Sequence, residues 1–157
     1  MRRPSILAGR SLSSSLSGRR LALLALGLVP WTVLVARGGT TFVFPWGLVE
    51  PTTLHVTTLP DYLFVYTAGL PDRLLAWPVS VLCYLLALAC AFAGRFEDRR
   101  VTAGLLVLAG ASHASFALGL VTGVSRSGLV VPVGPVALWL VAWWFHWPDL
   151  RGALNRG

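Results

Sequence analysis

Four apolar stretches dominate the 157-residue sequence, and none of them contains an Asp, Glu or Arg. They are Leu21–Ala36, Leu74–Gly94, Val101–Val124 and Gly128–Trp147. A helix crosses the hydrocarbon of a bilayer with about 17–25 predominantly apolar residues. The first stretch, with sixteen residues, is slightly short, and snorkelling of Arg19, Arg20 and Arg37 makes up the difference. Pro30, Pro78, Pro132 and Pro135 lie in or near the ends of the runs, where membrane helices tolerate proline. The expected fold is all-α and membrane-integral: a bundle of four transmembrane helices spanning 21–36, 74–94, 101–124 and 128–147.

Composition agrees. Hydrophobic residues make up 55% of the chain and charged residues 12%, with a mean hydropathy of +0.71. A soluble domain carries about 25% charged residues, so a disordered tail, a disulfide scaffold and an ordinary cytosolic enzyme are excluded as classes. The net charge of +7 rests on thirteen arginines with no lysine. They flank the apolar runs instead of forming one patch, which argues against nucleic acid as a partner and for the positive-inside pattern. Ten lie in the segments around 1–20, 95–100 and 148–157, against Arg37, Arg73 and Arg126 on the other side. Both termini are therefore expected in the cytoplasm of a multi-pass cell-membrane protein. Residues 1–20 form an Arg/Ser-rich tail, 21–147 one transmembrane domain and 148–157 a second tail. Trp139, Trp143, Trp144, Phe145 and Trp147 fit an inner aromatic belt, with Trp77 at the outer end of its span. The tail resembles a targeting peptide, but no A-x-A-like cleavage site follows Leu21–Ala36. A retained first span is expected, with cleavage as the alternative.

The segment from Arg37 to Arg73 is long for a structureless connection. Its aromatic residues and prolines, Phe44, Pro45, Trp46, Tyr62, Phe64 and Tyr66 among them, suit an outer cap, either a loop or a short amphipathic helix. TTFVFPW alternates like a strand until Pro45. LPDYLFVYTAGLP suits a short helix with Asp61 near its start and Gly69 at its end. Such a cap is either a surface-packed connection or a ligand- or partner-binding element.

In the third span, Ala111, Ser115, Gly119 and Gly123 recur every four residues and end in a GxxxG. Small-residue stripes let helix backbones approach closely. This span is expected to be either the packed centre of the bundle or the face that meets a second copy or a membrane-protein partner. Cys83 and Cys90 are too far apart along a helix to bridge each other and are expected to be buried apolar residues.

His113 lies near the middle of the third span between Ser112 and Ser115. An intramembrane ionisable group is a functional candidate, as proton relay or haem ligand; the alternative is a neutral imidazole hydrogen-bonded to a neighbouring helix. His146 and His55 sit at other depths, which disfavours a bis-histidine haem. Glu50, His55, Asp61 and Asp72 fit no metal-ligand spacing, and RFEDRR is expected to be a salt-bridged inner turn. No phosphate, zinc or nucleophile motif is present. No catalytic, cofactor-binding or metal-binding residue is expected. These features point to a non-enzymatic structural or accessory membrane component in contact with lipid. The alternative is a small transporter or channel subunit using His113.

FVFPWGLVEP, then TTLPDYLFVYTAGLPDRLLAWPVSVLCYLLALA, then EDRRVTAGLLVLAGASH together resemble a family of small multi-pass membrane proteins from halophilic archaea with no assigned function. The likeness covers roughly residues 20–121, and its most specific pieces are Phe44-Pro45-Trp46-Gly47 and Tyr66 to Pro78. It implies a membrane location and carries over no catalytic residue.

Overall fold

A computed structural model of the chain describes residues 18–65, 75–93, 98–124 and 128–154. Among these residues it holds five helices and one five-stranded antiparallel sheet, so the fold is not an all-α bundle of four spans. Two of the four apolar stretches break into a strand and a helix, each at a proline.

The first stretch divides at Pro30. Residues 18–26 form helix α1, and Thr32–Ala36 forms strand β1. Proline has no N–H to continue the helical ladder, and TVLVA is rich in β-branched residues. The open end of α1 is closed by side chains from elsewhere. The Trp31 indole donates to the Leu26 carbonyl at 2.9 Å, and the Tyr84 hydroxyl donates to the Leu23 carbonyl at 2.7 Å. The last carbonyls of any helix need such partners. The fourth stretch divides at Pro132. Gly128–Val131 is strand β5, and helix α5 runs from Val133 to Leu154.

The expected outer loop holds the rest of the sheet: β2 (Gly39–Phe44), β3 (Gly47–Glu50) and β4 (His55–Thr58). The strand-like alternation of TTFVFPW ends at Pro45, as expected. The order is β4-β3-β2-β1-β5, so β5 returns from far along the chain to pair with β1. Helix α2 (Leu59–Phe64) follows β4 directly. Thr58 caps it: its hydroxyl oxygen accepts the Asp61 N–H and donates to the Asp61 carboxylate at 2.6 Å. Asp61 thus starts a helix where the sequence expects one. The expected end at Gly69 lies outside the described residues, as does Tyr66.

Helix α3 (Ala76–Phe92) and helix α4 (Arg99–Val124) match the second and third stretches. Asp98 caps α4 through the N–H groups of Arg100 and Val101, a role the expected salt-bridged turn did not include. Helix α4 lies between α3 and α5. Among the described helices it alone is long and apolar enough to cross a membrane, over Arg99–Thr122. Helix α5 runs antiparallel to it, with Trp139 donating to the Val107 carbonyl at 3.1 Å. At this crossing a Cβ on Gly110 would run into the Trp139 indole. Gly110→Ala is therefore expected to part α4 from α5 and cost about 1–3 kcal/mol, read as a lower thermal midpoint.

The register assigns the two faces of the sheet. Thr32, Val43, Leu48 and Thr57 pair across β1 to β4 and share one face. Val43 and Thr32 are fully buried and Leu48 packs on the core, so this face lies on the helices. The core itself gathers Leu23, Trp31, Trp77, Leu106 and Leu138. Around it the helices are exposed on apolar side chains, including Leu82, Leu85, Leu108, Leu140 and Trp144, the last 74% exposed.

Candidate functional site

Where the sheet meets the helices, three elements, β1, α3 and α4, converge on one imidazole. His113, in the middle of α4, is fully buried. The Thr32 hydroxyl at the start of β1 lies 2.9 Å from its Nε2, and the Ser80 hydroxyl of α3 lies 3.3 Å from its Nδ1. Ser80 also donates to the Trp77 carbonyl at 2.6 Å. A hydroxyl has one proton, and that bond uses Ser80's. Nδ1–H must then be the donor to Ser80, which leaves the Nε2 lone pair to accept from Thr32. The result is a directed chain: Thr32 to His113 to Ser80 to the Trp77 carbonyl. It gives a neutral imidazole one donor and one acceptor partner, its full complement.

Aromatic rings close the node. Trp31 meets His113 edge-on at 5.1 Å and Tyr84 at 5.3 Å, and Phe116 lies 5.3 Å from the imidazole. Trp31 is held by its backbone as well. Its N–H donates to the Val43 carbonyl, and its carbonyl accepts from Gly134 at the start of α5, each at 2.7 Å. Through its backbone and its indole, Trp31 thereby ties α1, the sheet and α5 together. Trp77, also fully buried, stacks near Phe116 and receives the edge of Tyr62 from α2 at 4.8 Å. Its indole N–H has no hydrogen-bond partner. Partial burial also pushes the Tyr62 phenol above its ordinary pKa of 10.0.

The sequence candidates fall in three places. His113 is at the node, and Ser112 supports it from one side by donating to the Ala76 carbonyl at 2.8 Å. Ser115 points outward and donates back to Ala111 within α4. Ala111 is likewise exposed and Gly119 half-buried, while the surroundings of Gly123 lie outside the described residues. Helix α4 packs between α3 and α5, and its buried face bears Ala103, Leu106, Ala109, His113 and Phe116 instead of the small-residue stripe. In the segment expected to form an outer cap, Phe44 and Trp46 stack at 4.8 Å across the Pro45 turn. Tyr62 faces the node, and Phe64 is 85% exposed. His55 pairs across strands with Glu50 and lines a small surface cavity together with Asp61, which caps α2. Asp72 lies outside the described residues, as does the His146 side chain. Cys83 is buried and Cys90 half-buried, both as free thiols. No group of three potential metal ligands occurs among the described residues.

Thr32, Ser80, Trp31 and Tyr84 were not singled out by sequence. Trp31-Thr32 directly after Pro30 is the only local signal, since a proline in an apolar run marks a break.

A family model described as a domain of unknown function, DUF8050, matches residues 5–156. The chain belongs to this family. The match extends over every element of the node, so the sheet and the helices form part of one family domain. No match is found among curated proteins.

Proposed function

We propose that the chain is a membrane-integral structural or accessory protein, with helices α3 to α5 in the bilayer and the sheet projecting from one side. The observation that carries this reading is an inverted distribution of polarity. Polar groups, among them His113, Thr32 and Ser80, are buried and hydrogen-bonded, while leucine, valine and tryptophan side chains cover the outside of the helices. In water, so many exposed apolar side chains favour association or aggregation; in hydrocarbon they are at home, and buried polar groups serve as interhelical ties. Arginines support the orientation. Arg20 donates to the Ala91 carbonyl at the end of α3, and α4 begins close by at Arg99 and Arg100. That end, opposite the sheet, suits the cytoplasmic surface.

The filled hydrogen-bond set of His113 supports a tie between sheet and helices over a proton-handling role. Cysteine labelling of the full-length chain in intact membranes, in a Cys83→Ala, Cys90→Ala background, tests the arrangement. Leu82→Cys and Leu140→Cys are expected to resist a water-soluble maleimide until detergent is added. Leu54→Cys, at the exposed tip of the β3–β4 turn, reacts from outside, and Arg100→Cys only after the membrane is opened. Free labelling of Leu140→Cys, or release of the protein by alkaline extraction, would overturn the proposal.

A further inference from the structure

The second face of the sheet is also apolar. Following the register from one edge to the other, Val131, Val33, Phe42, Val49 and Val56 stand directly opposite one another and form a row across all five strands. Residues paired in this way share a face, and this one is turned away from Val43 and Thr32. None of the five belongs to the buried cluster, and the two ends, Val56 and Val131, are 50% and 39% exposed. The next row runs Leu129, Val35 and Thr40, the two apolar residues exposed and the threonine its one polar member. An antiparallel sheet with one face on the core normally alternates to polar residues on the other. Here it does not.

We infer that this face is where two copies of the chain pack together, sheet on sheet. The row is palindromic in chemistry: valine, valine, phenylalanine, valine, valine, with Phe42 on the central strand β2. A two-fold axis along that strand stacks Phe42 on its own counterpart, Val33 on the partner's Val49, and Val131 on the partner's Val56. No charge falls within the row. Five strands of this length present roughly 400 Å² of flat face. Two such faces together remove roughly 800–1,000 Å² from solvent, the size range of weak, reversible interfaces, so the dimer is expected to dissociate on dilution. Stacked sheets of this kind sit about 10 Å apart with their inner side chains interdigitating. Lipid is a poorer occupant. Strands β4 and β5 are the edges of the sheet, and their unpaired backbone groups would stand in hydrocarbon without partners. The pairing does not require that the helices lie in a bilayer.

The test uses the full-length chain in mild detergent and in lipid nanodiscs. Light scattering is expected to give a dimer, and Phe42→Cys, with Cys83→Ala and Cys90→Ala, is expected to join two copies through a short bismaleimide. Phe42→Glu should raise the dissociation constant about thirtyfold or more. Its far-UV circular dichroism should stay unchanged, which separates lost pairing from lost folding; if it does not, Val56→Glu at the edge of the row serves in its place. A wild-type monomer over the whole concentration range would overturn the inference. So would a dimer unaffected by either glutamate variant, or labelling of Phe42→Cys by a bilayer-confined probe, which would assign the face to lipid.

Discussion

Trp31→Ala lowers the stability of the folded chain by about 3–5 kcal/mol, the loss typical of truncating a buried tryptophan. The side chain is fully buried and contacts both His113 and Tyr84. Alanine keeps the two backbone hydrogen bonds to Val43 and Gly134 but removes the indole that closes the end of α1. The vacated volume lies between the helices and the sheet, so the sheet loses its seat first. Thermal unfolding in detergent, followed by circular dichroism, should show the strand signal lost at a lower temperature than the helical signal. Trp31→Phe retains a ring and loses only the bond to the Leu26 carbonyl, at a cost of about 1–2 kcal/mol. A Trp31→Ala chain as stable as the parent would mean that the node does not hold the sheet.

His113→Leu comes second, with an expected loss of about 2–4 kcal/mol. Leucine fills much of the space, and Ser80 keeps its bond to the Trp77 carbonyl, but the Thr32 hydroxyl is left buried without its acceptor. Thr32→Val has the complementary defect, leaving Nε2 of His113 unpaired. The two changes together put apolar groups on both sides of the contact. The double variant should therefore be more stable than the sum of the single losses predicts, by about 1–2 kcal/mol. Unfolding titrations of the four proteins measure this directly. Strict additivity would show that the 2.9 Å contact contributes nothing, and the directed chain through His113 would fall with it.

Gly134→Ala probes the same seat from the side of α5. An added Cβ would sit 2.6 Å from Trp31 Cβ and 2.9 Å from its Cα, against backbone that cannot swing aside. A loss of about 2–3 kcal/mol in the same unfolding assay is expected.

Much of the helical layer is legible without coordinates. The runs at Leu74–Gly94 and Val101–Val124 become α3 and α4 with ends shifted by only a few residues, because long uniformly apolar runs leave little choice. Asp61 announces the start of α2 through a local hydrogen bond. His113 is conspicuous as an ionisable group within an apolar run. The strands are another matter. TVLVA and GLVV are short apolar pieces whose periodicity does not separate strand from helix, and each continues into a run that looks long enough to be one span. Their conformation depends on each other: Val33 pairs with Val131, Leu34 with Val130 and Val35 with Leu129. The stripe of Ala111, Ser115 and Gly119 marks a side of α4 but cannot say which side faces the neighbours. The outward position of Ala111 and Ser115 comes from where α3 and α5 pack.

By itself, the sequence determined the segregation of this protein: apolar runs bordered by arginine, with Pro30 and Pro132 inside two of them, and a single histidine at the middle of its longest helix. Those are properties of neighbouring residues and of local backbone chemistry. The breaks at those prolines came only with the structure. Tertiary structure decided that the breaks start or end strands, that the strands form one sheet, and that Thr32 and Ser80 take the two nitrogens of His113. Each of these depends on a partner distant along the chain, and a hydrogen bond across the fold leaves no periodicity in the sequence around either end.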